Sequence, residues 1–111
     1  MIPPLTQRKC KPCEGGAEPL PSPAAEQLLR DLKGWELIGG QAIRKVVTCK
    51  NFLDAVGLIQ RIAPIAEAED HHPDLHLTKY KRLTIELSTH AIGGLSENDF
   101  ILAARIDQLL T

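Results

Sequence analysis

From Asn51 to Glu69 the apolar residues Phe52, Ala55, Val56, Ile59, Ile62, Ala63 and Ala66 recur at the spacing of an amphipathic helix. Pro64 lies inside that stretch and is expected to kink or loosen it, because proline has no N–H and its ring crowds the preceding turn. The helix has to stop by His72-Pro73, since the ring of Pro73 drives the residue ahead of it out of helical geometry. Beyond Pro73 the period changes to two. Leu75 and Leu77 alternate with His76 and Thr78, and Leu83, Ile85 and Leu87 alternate with Thr84, Glu86 and Ser88. These read as two strands, with Tyr80-Lys81-Arg82 at the turn between them.

Upstream, Ser22-Pro23 reads as an N-cap followed by proline at the first helical position, and leucines at helical spacing run on to Gly34. Trp35–Ile38 and Ala42–Val47 flank Gly39-Gly40, a hairpin signal. Downstream, Gly93-Gly94 breaks the last strand and Ser96-Glu97-Asn98-Asp99 has the form of a capping box, with Asp99 at the third helical position. Phe100, Ala103, Ala104, Ile106, Leu109 and Leu110 supply the apolar stripe of the final helix.

The order helix, two strands, helix, two strands, helix predicts an α+β fold: a four-stranded antiparallel sheet with helices packed on one face. Residues 1–23, rich in proline and holding Gly15-Gly16, are expected to form an extended N-terminal arm, and 24–111 a single domain. The opposite sheet face would carry Thr84, Glu86 and Ser88. A one-sided sheet in so short a chain leaves exposed edges, and the last helix looks more apolar than one stripe requires. Both point to a homo-oligomer, with that helix and an edge strand at the contacts.

The bulk numbers exclude more than they assign. A formal net charge of −1 with 24% charged residues offers no basic stripe for direct nucleic-acid contact. No apolar run is long enough to cross a membrane, and no apolar leader opens the chain, so a cytoplasmic protein is expected. Cys10-Lys11-Pro12-Cys13 has the spacing of half a zinc site, but no second pair exists; free thiols in a loosely ordered segment are expected. Cys49, beside Val46-Val47, reads as a small packing residue rather than a nucleophile.

The chemistry concentrates in histidines. His71-His72 stand at the exit of the long helix, within Glu67-Ala68-Glu69-Asp70-His71-His72-Pro73-Asp74, and His90 follows the last strand. Imidazole is the side chain whose ordinary pKa lies near physiological pH. A metal site on His72, Asp74 and His76 is conceivable, but no sequence rule places those groups in a ligand geometry, and no metal is expected. Capping of the helix dipole would account for one histidine at about 0.3–1 kcal/mol, yet not for two adjacent ones and His90. His76 alternates with leucines and reads as a solvent-facing strand residue. No nucleophile elbow, phosphate-cradling loop or dinucleotide fingerprint is present. What remains is acid–base chemistry without metal or cofactor, such as a dehydration.

Glu67, His71-His72-Pro73, Tyr80, His90 and Asp99 together resemble the pterin-4a-carbinolamine dehydratase family in identity and spacing. Cys10-Lys11-Pro12-Cys13-Glu14-Gly15-Gly16, Gly34-Trp35-Glu36-Leu37, Leu87-Ser88-Thr89-His90 and Gly94-Leu95-Ser96-Glu97-Asn98-Asp99 extend the resemblance over nearly the whole chain. The resemblance implies the same α+β fold and a homo-oligomer, a dimer or tetramer. It implies dehydration of 4a-hydroxytetrahydrobiopterin to quinonoid dihydrobiopterin in tetrahydrobiopterin recycling, hence a functional link to an aromatic amino acid hydroxylase. It places His71, His72 and His90 around the pterin, with His71 and His90 as the acid–base pair and His72 polarising or positioning the substrate. Glu67 would orient His71; Asp99 would be a helix cap or a second orienter; Pro73, Ser88 and Thr89 would contact substrate. Asp74-Leu75-His76-Leu77 departs from the family, many of whose members carry an aromatic near the proline. The alternative it implies is a non-catalytic dimerisation or regulatory module of the same fold, since vertebrate members also act as dimerisation cofactors of a homeodomain transcription factor.

Overall fold

The computed structural model describes residues 5–7 and 19–110. Cys10 and Cys13 lie outside the described residues, as does the middle of the expected arm. A 3-10 turn, Leu5–Gln7, precedes α1 (Ser22–Leu29), β1 (Glu36–Ile38), β2 (Ala42–Thr48), α2 (Phe52–Glu69), β3 (Asp74–Thr78) and β4 (Arg82–Leu87). A second 3-10 turn, His90–Ile92, leads into α3 (Glu97–Leu109). The four strands form one antiparallel sheet in the order β1-β2-β4-β3.

Register sorts the side chains as the alternation requires. Ile43 faces Leu87 and Leu75 faces Ile85 on the core side, where Ile43, Leu83, Ile85 and Leu87 are fully buried. Arg44 faces Glu86 and Val46 faces Thr84 on the opposite face, where Val46 stays 39% exposed. The helices close over the apolar face with Ala25, Leu58, Ile62, Phe100, Leu102 and Ile106 in one cluster. Trp35 Nε1 and Lys45 Nζ both donate to Asp107 Oδ1, at 2.9 and 2.8 Å, tying the β1–β2 hairpin to α3.

Several local expectations are corrected. The N-cap of α1 is Pro21 with no side-chain bond, so Ser22 starts the helix rather than capping it. In α2 the buried residues are Ala55, Leu58, Ile62 and Ala66, whereas Phe52 is 51% exposed and Ala63 also faces outward. The buried line is thus narrower and rotated towards Leu58. Pro64 is exposed within an uninterrupted α2, where water can serve the carbonyl that proline leaves without a helical donor. The β3–β4 turn is made by Lys79-Tyr80, both at positive φ (48° and 55°), and Arg82 already belongs to β4. The Gly39-Gly40 turn also has two consecutive positive φ values (57° and 70°), carried there by the residue type suited to them.

The apolar surplus of α3 is absorbed inside the chain. Phe100, Ile101, Ala103 and Ala104 are between 0 and 7% exposed, and α3 packs against α2 and the Leu5–Gln7 turn. That helix therefore gives no reason of its own for subunit contact, and the edge strands carry that expectation alone. Leu5 is in the core, and Leu20 N–H donates to Leu95 O at 2.8 Å, so the expected arm touches the domain at these two described residues.

Candidate active site

Two chain reversals build the site. The first ends α2. Asp70 adopts the left-handed conformation, with φ 50° and ψ 41°. His71 N–H then donates to Ala66 O at 3.1 Å and Asp70 N–H to Glu67 O at 3.2 Å, a Schellman closure of the last carbonyls. This reversal sends the two adjacent histidines apart. His71 turns inward, its side chain 11% exposed, and its Nε2 lies 2.6 Å from Asp99 Oδ1. His72 turns outward, 54% exposed, with Nε2 2.6 Å from Glu67 Oε1.

The second reversal follows β4. Thr89 and Gly94 form an isolated antiparallel bridge, with Thr89 N–H donating to Gly94 O at 2.8 Å. Between them the 3-10 turn His90–Ile92 is closed by Gly93 at φ 66°, and His90 is left exposed at its start. Gly94 is required for packing: a Cβ there would sit 2.8 Å from Pro19 Cβ.

The two meet at the start of α3. Ser96 and Asp99 form the full capping box, the Ser96 side chain accepting from the Asp99 N–H and the Asp99 side chain from the Ser96 N–H. Asp99 Oδ2 accepts from Ser96 N at 3.0 Å and from Thr89 Oγ1 at 2.9 Å. Its other oxygen faces His71. Asp99 has no solvent exposure, so its charge rests on these donors and on the positive end of the α3 dipole. One carboxylate is thus both helix cap and partner of an imidazole.

A cleft of about 290 Å³ opens beside this junction. Gln41, Glu86, Ser88, Thr89, His90 and Gly94 are among its walls. Thr89 belongs to both parts, lining the cleft while its hydroxyl reaches Asp99. His71 and His72 are not among the cleft walls; they stand on the α2 side of Thr89 and Asp99. Pro73 is partly buried between His72 and β3. Asp74 and His76 project exposed from β3, and among the described residues no group of three potential ligands converges on a metal position. Cys49 is partly buried against the core, and burial, with Asp54 adding to it, pushes its thiol up, away from the nucleophilic thiolate.

Glu67 is placed differently from the sequence expectation: it pairs with His72, and Asp99 takes the position beside His71. The sequence marks Ser96 only as a cap and Glu86 only as a residue of the open sheet face, and it gives no signal for Gln41. The place of Glu86 on that face, two residues before Ser88, is the signal that leads to the cleft.

Known proteins resemble this chain in sequence and in fold. Residues 18–109 match the family described as Pterin 4 alpha carbinolamine dehydratase, and the chain belongs to that family. A Nitrosomonas eutropha protein, whose name gives pterin-4-alpha-carbinolamine dehydratase as a provisional assignment, is 47% identical over 107 residues, covering 96% of this chain and 93% of the relative. The Arabidopsis thaliana protein named pterin-4-alpha-carbinolamine dehydratase 2, mitochondrial, is 43% identical over 109 residues, covering 95% of this chain and 58% of its own length. The crystal structure of a transcriptional coactivator/pterin dehydratase from Brucella melitensis superposes with a TM-score of 0.78 at 30% identity, over 85% of this chain and all of that one.

Proposed function

We propose that this protein dehydrates 4a-hydroxytetrahydrobiopterin to quinonoid dihydrobiopterin. The observation that carries this reading is the buried His71–Asp99 pair beside a cleft whose rim holds a second, solvent-reachable imidazole, His90. The C4a carbon of the substrate bears a hydroxyl and is bonded to N5. The N5 lone pair pushes out the hydroxyl, which leaves as water once protonated, and loss of the N5 proton gives the C4a=N5 double bond. One proton is given and one is taken, so the reaction needs an acid and a base and no redox partner. Positioned groups of this kind contribute about 10²–10⁴-fold each. His71 and His90 form the acid–base pair. His72, held by Glu67, polarises or positions the ring, and Pro73 and Ser88 border the substrate.

Membership of the family and the intact set of three histidines support this reading over that of a non-catalytic dimerisation module. The word coactivator in the name of the Brucella structure belongs to that protein. We extend the proposal to a homo-oligomer working beside an aromatic amino acid hydroxylase in the cytoplasm. No described helix is long and apolar enough to cross a membrane. The direct test generates the 4a-hydroxytetrahydropterin in situ and follows the ultraviolet change on dehydration with and without the protein. Acceleration abolished by His71→Ala and by His90→Ala supports the reading; an uncatalysed rate in the presence of folded protein overturns it.

A further inference from the structure

The hydroxyls of Thr89 and Ser96 form a hydrogen-bond chain whose direction is fixed by counting protons. Thr89 Oγ1 is 2.9 Å from Asp99 Oδ2 and 2.8 Å from Ser96 Oγ. A hydroxyl has one hydrogen, and a carboxylate only accepts, so the Thr89 hydrogen goes to Asp99. Ser96 must then donate its own hydrogen to Thr89, while Ser96 Oγ accepts from the Asp99 N–H of the capping box. Asp99 Oδ2 is thereby filled by two donors, Thr89 and the Ser96 N–H. The carboxylate has only Oδ1 left, 2.6 Å from His71 Nε2, and this contact requires a hydrogen on the imidazole side.

We propose that Thr89 and Ser96 are positioning residues whose one-way relay, Ser96 to Thr89 to Asp99, pins the Asp99 carboxylate as a pure acceptor and so holds His71 with its proton on Nε2 and its lone pair on Nδ1. His71 Nδ1 is then the base that takes the N5 proton, and His90 is left as the acid towards the departing hydroxyl. This division of labour rests on the dehydratase reading; the state of the His71 ring does not. The frame around the relay is rigid. Thr89 is 4% exposed, and its N–H donates to Gly94 O while its carbonyl accepts from Ile92 N at 3.2 Å and Gly94 N at 3.4 Å. Thr89 lines the cleft, and through its hydroxyl it also acts on the substrate by way of Asp99 and His71.

The test uses the full chain labelled with ¹⁵N-histidine, with long-range proton–nitrogen spectra recorded at alkaline pH where imidazole is neutral. The wild-type His71 ring is expected to carry its proton on Nε2, with a hydrogen-bonded N–H resonance. In Thr89→Val, which keeps the shape and removes the hydroxyl, that resonance is expected to broaden or move upfield. Its kcat is expected to fall about tenfold, with little change in KM, as for an interaction realised in the transition state. Thr89→Ser restores the donor and is expected to restore both. A wild-type His71 protonated on Nδ1 overturns the proposal without any variant, so misfolding of Thr89→Val leaves it decidable. So does a folded Thr89→Val with unchanged resonance and kcat, or a Thr89→Ser that fails to recover them. If the wild-type protein turns over no pterin, the spectra still decide the relay.

Discussion

Replacing Asp99 by asparagine keeps the shape of the side chain and changes one oxygen to an NH2 group. The Oδ2 position faces two donors, Thr89 Oγ1 and Ser96 N, so the amide oxygen must occupy it. The NH2 then points at His71 Nε2 across 2.6 Å, which forces Nε2 to become the acceptor and moves the ring proton to Nδ1. Two consequences can be given magnitudes. Hydrogen bonds to a charged group contribute about 1.5–3 kcal/mol against about 0.5–1.5 for neutral ones, so three weakened bonds cost about 3–4 kcal/mol. Relief of a fully buried charge offsets part of this, and a net loss of about 1–3 kcal/mol is expected in urea denaturation. The rate should fall by about 10²-fold or more, because the basic nitrogen is blocked. Both are measured on one preparation, the second by the ultraviolet change on dehydration. Unchanged stability would refute the capping role, and a wild-type rate in a folded Asp99→Asn protein would show that Asp99 does not govern the His71 ring.

Four further outcomes are expected. His90→Ala should leave the unfolding free energy within about 0.5 kcal/mol, since the residue is exposed, while slowing dehydration at least tenfold; His76→Ala should change neither, and a large loss there would reopen a wider cluster. Leu58→Ala should destabilise by about 2–5 kcal/mol, more than Phe52→Ala, reversing the order that residue size suggests; equal costs would refute the rotated helix face. Lys79→Asn should stabilise by about 0.5–1 kcal/mol, because asparagine tolerates the left-handed conformation that lysine holds at φ 48°, and a loss in the same denaturation assay would contradict it. Prolonged chelation should leave turnover unchanged; loss of activity restored by a stoichiometric metal would replace the acid–base mechanism.

The sheet was legible because its alternation is strict. Leu83, Ile85 and Leu87 can be buried together only on one face, and a slip by one residue would expose all three. The capping box of α3 was legible because both partners lie within four residues. The buried line of α2 was not, because apolar residues surround much of that helix and only the packing partners choose among possible lines. The site was readable as a set of residues but not as a set of pairs. Glu67 and His71 have the four-residue spacing of neighbours on a helix, yet the left-handed Asp70 ends the helix first, giving Glu67 to His72 and swinging His71 to Asp99, which is 28 residues away in sequence. No local pattern announces a contact of that span.

The double use of Asp99 separates what heredity preserves from what it tests. A lineage that gave up the reaction would still be held to an aspartate here, since losing it would unseat the first turn of α3. The His90 side chain, exposed at the start of a 3-10 turn, has no such double duty. Relaxed selection would therefore erase His90 long before Asp99. Among descendants of this fold, a retained aspartate testifies to foldedness, whereas a retained histidine at the start of that turn testifies to chemistry still in use.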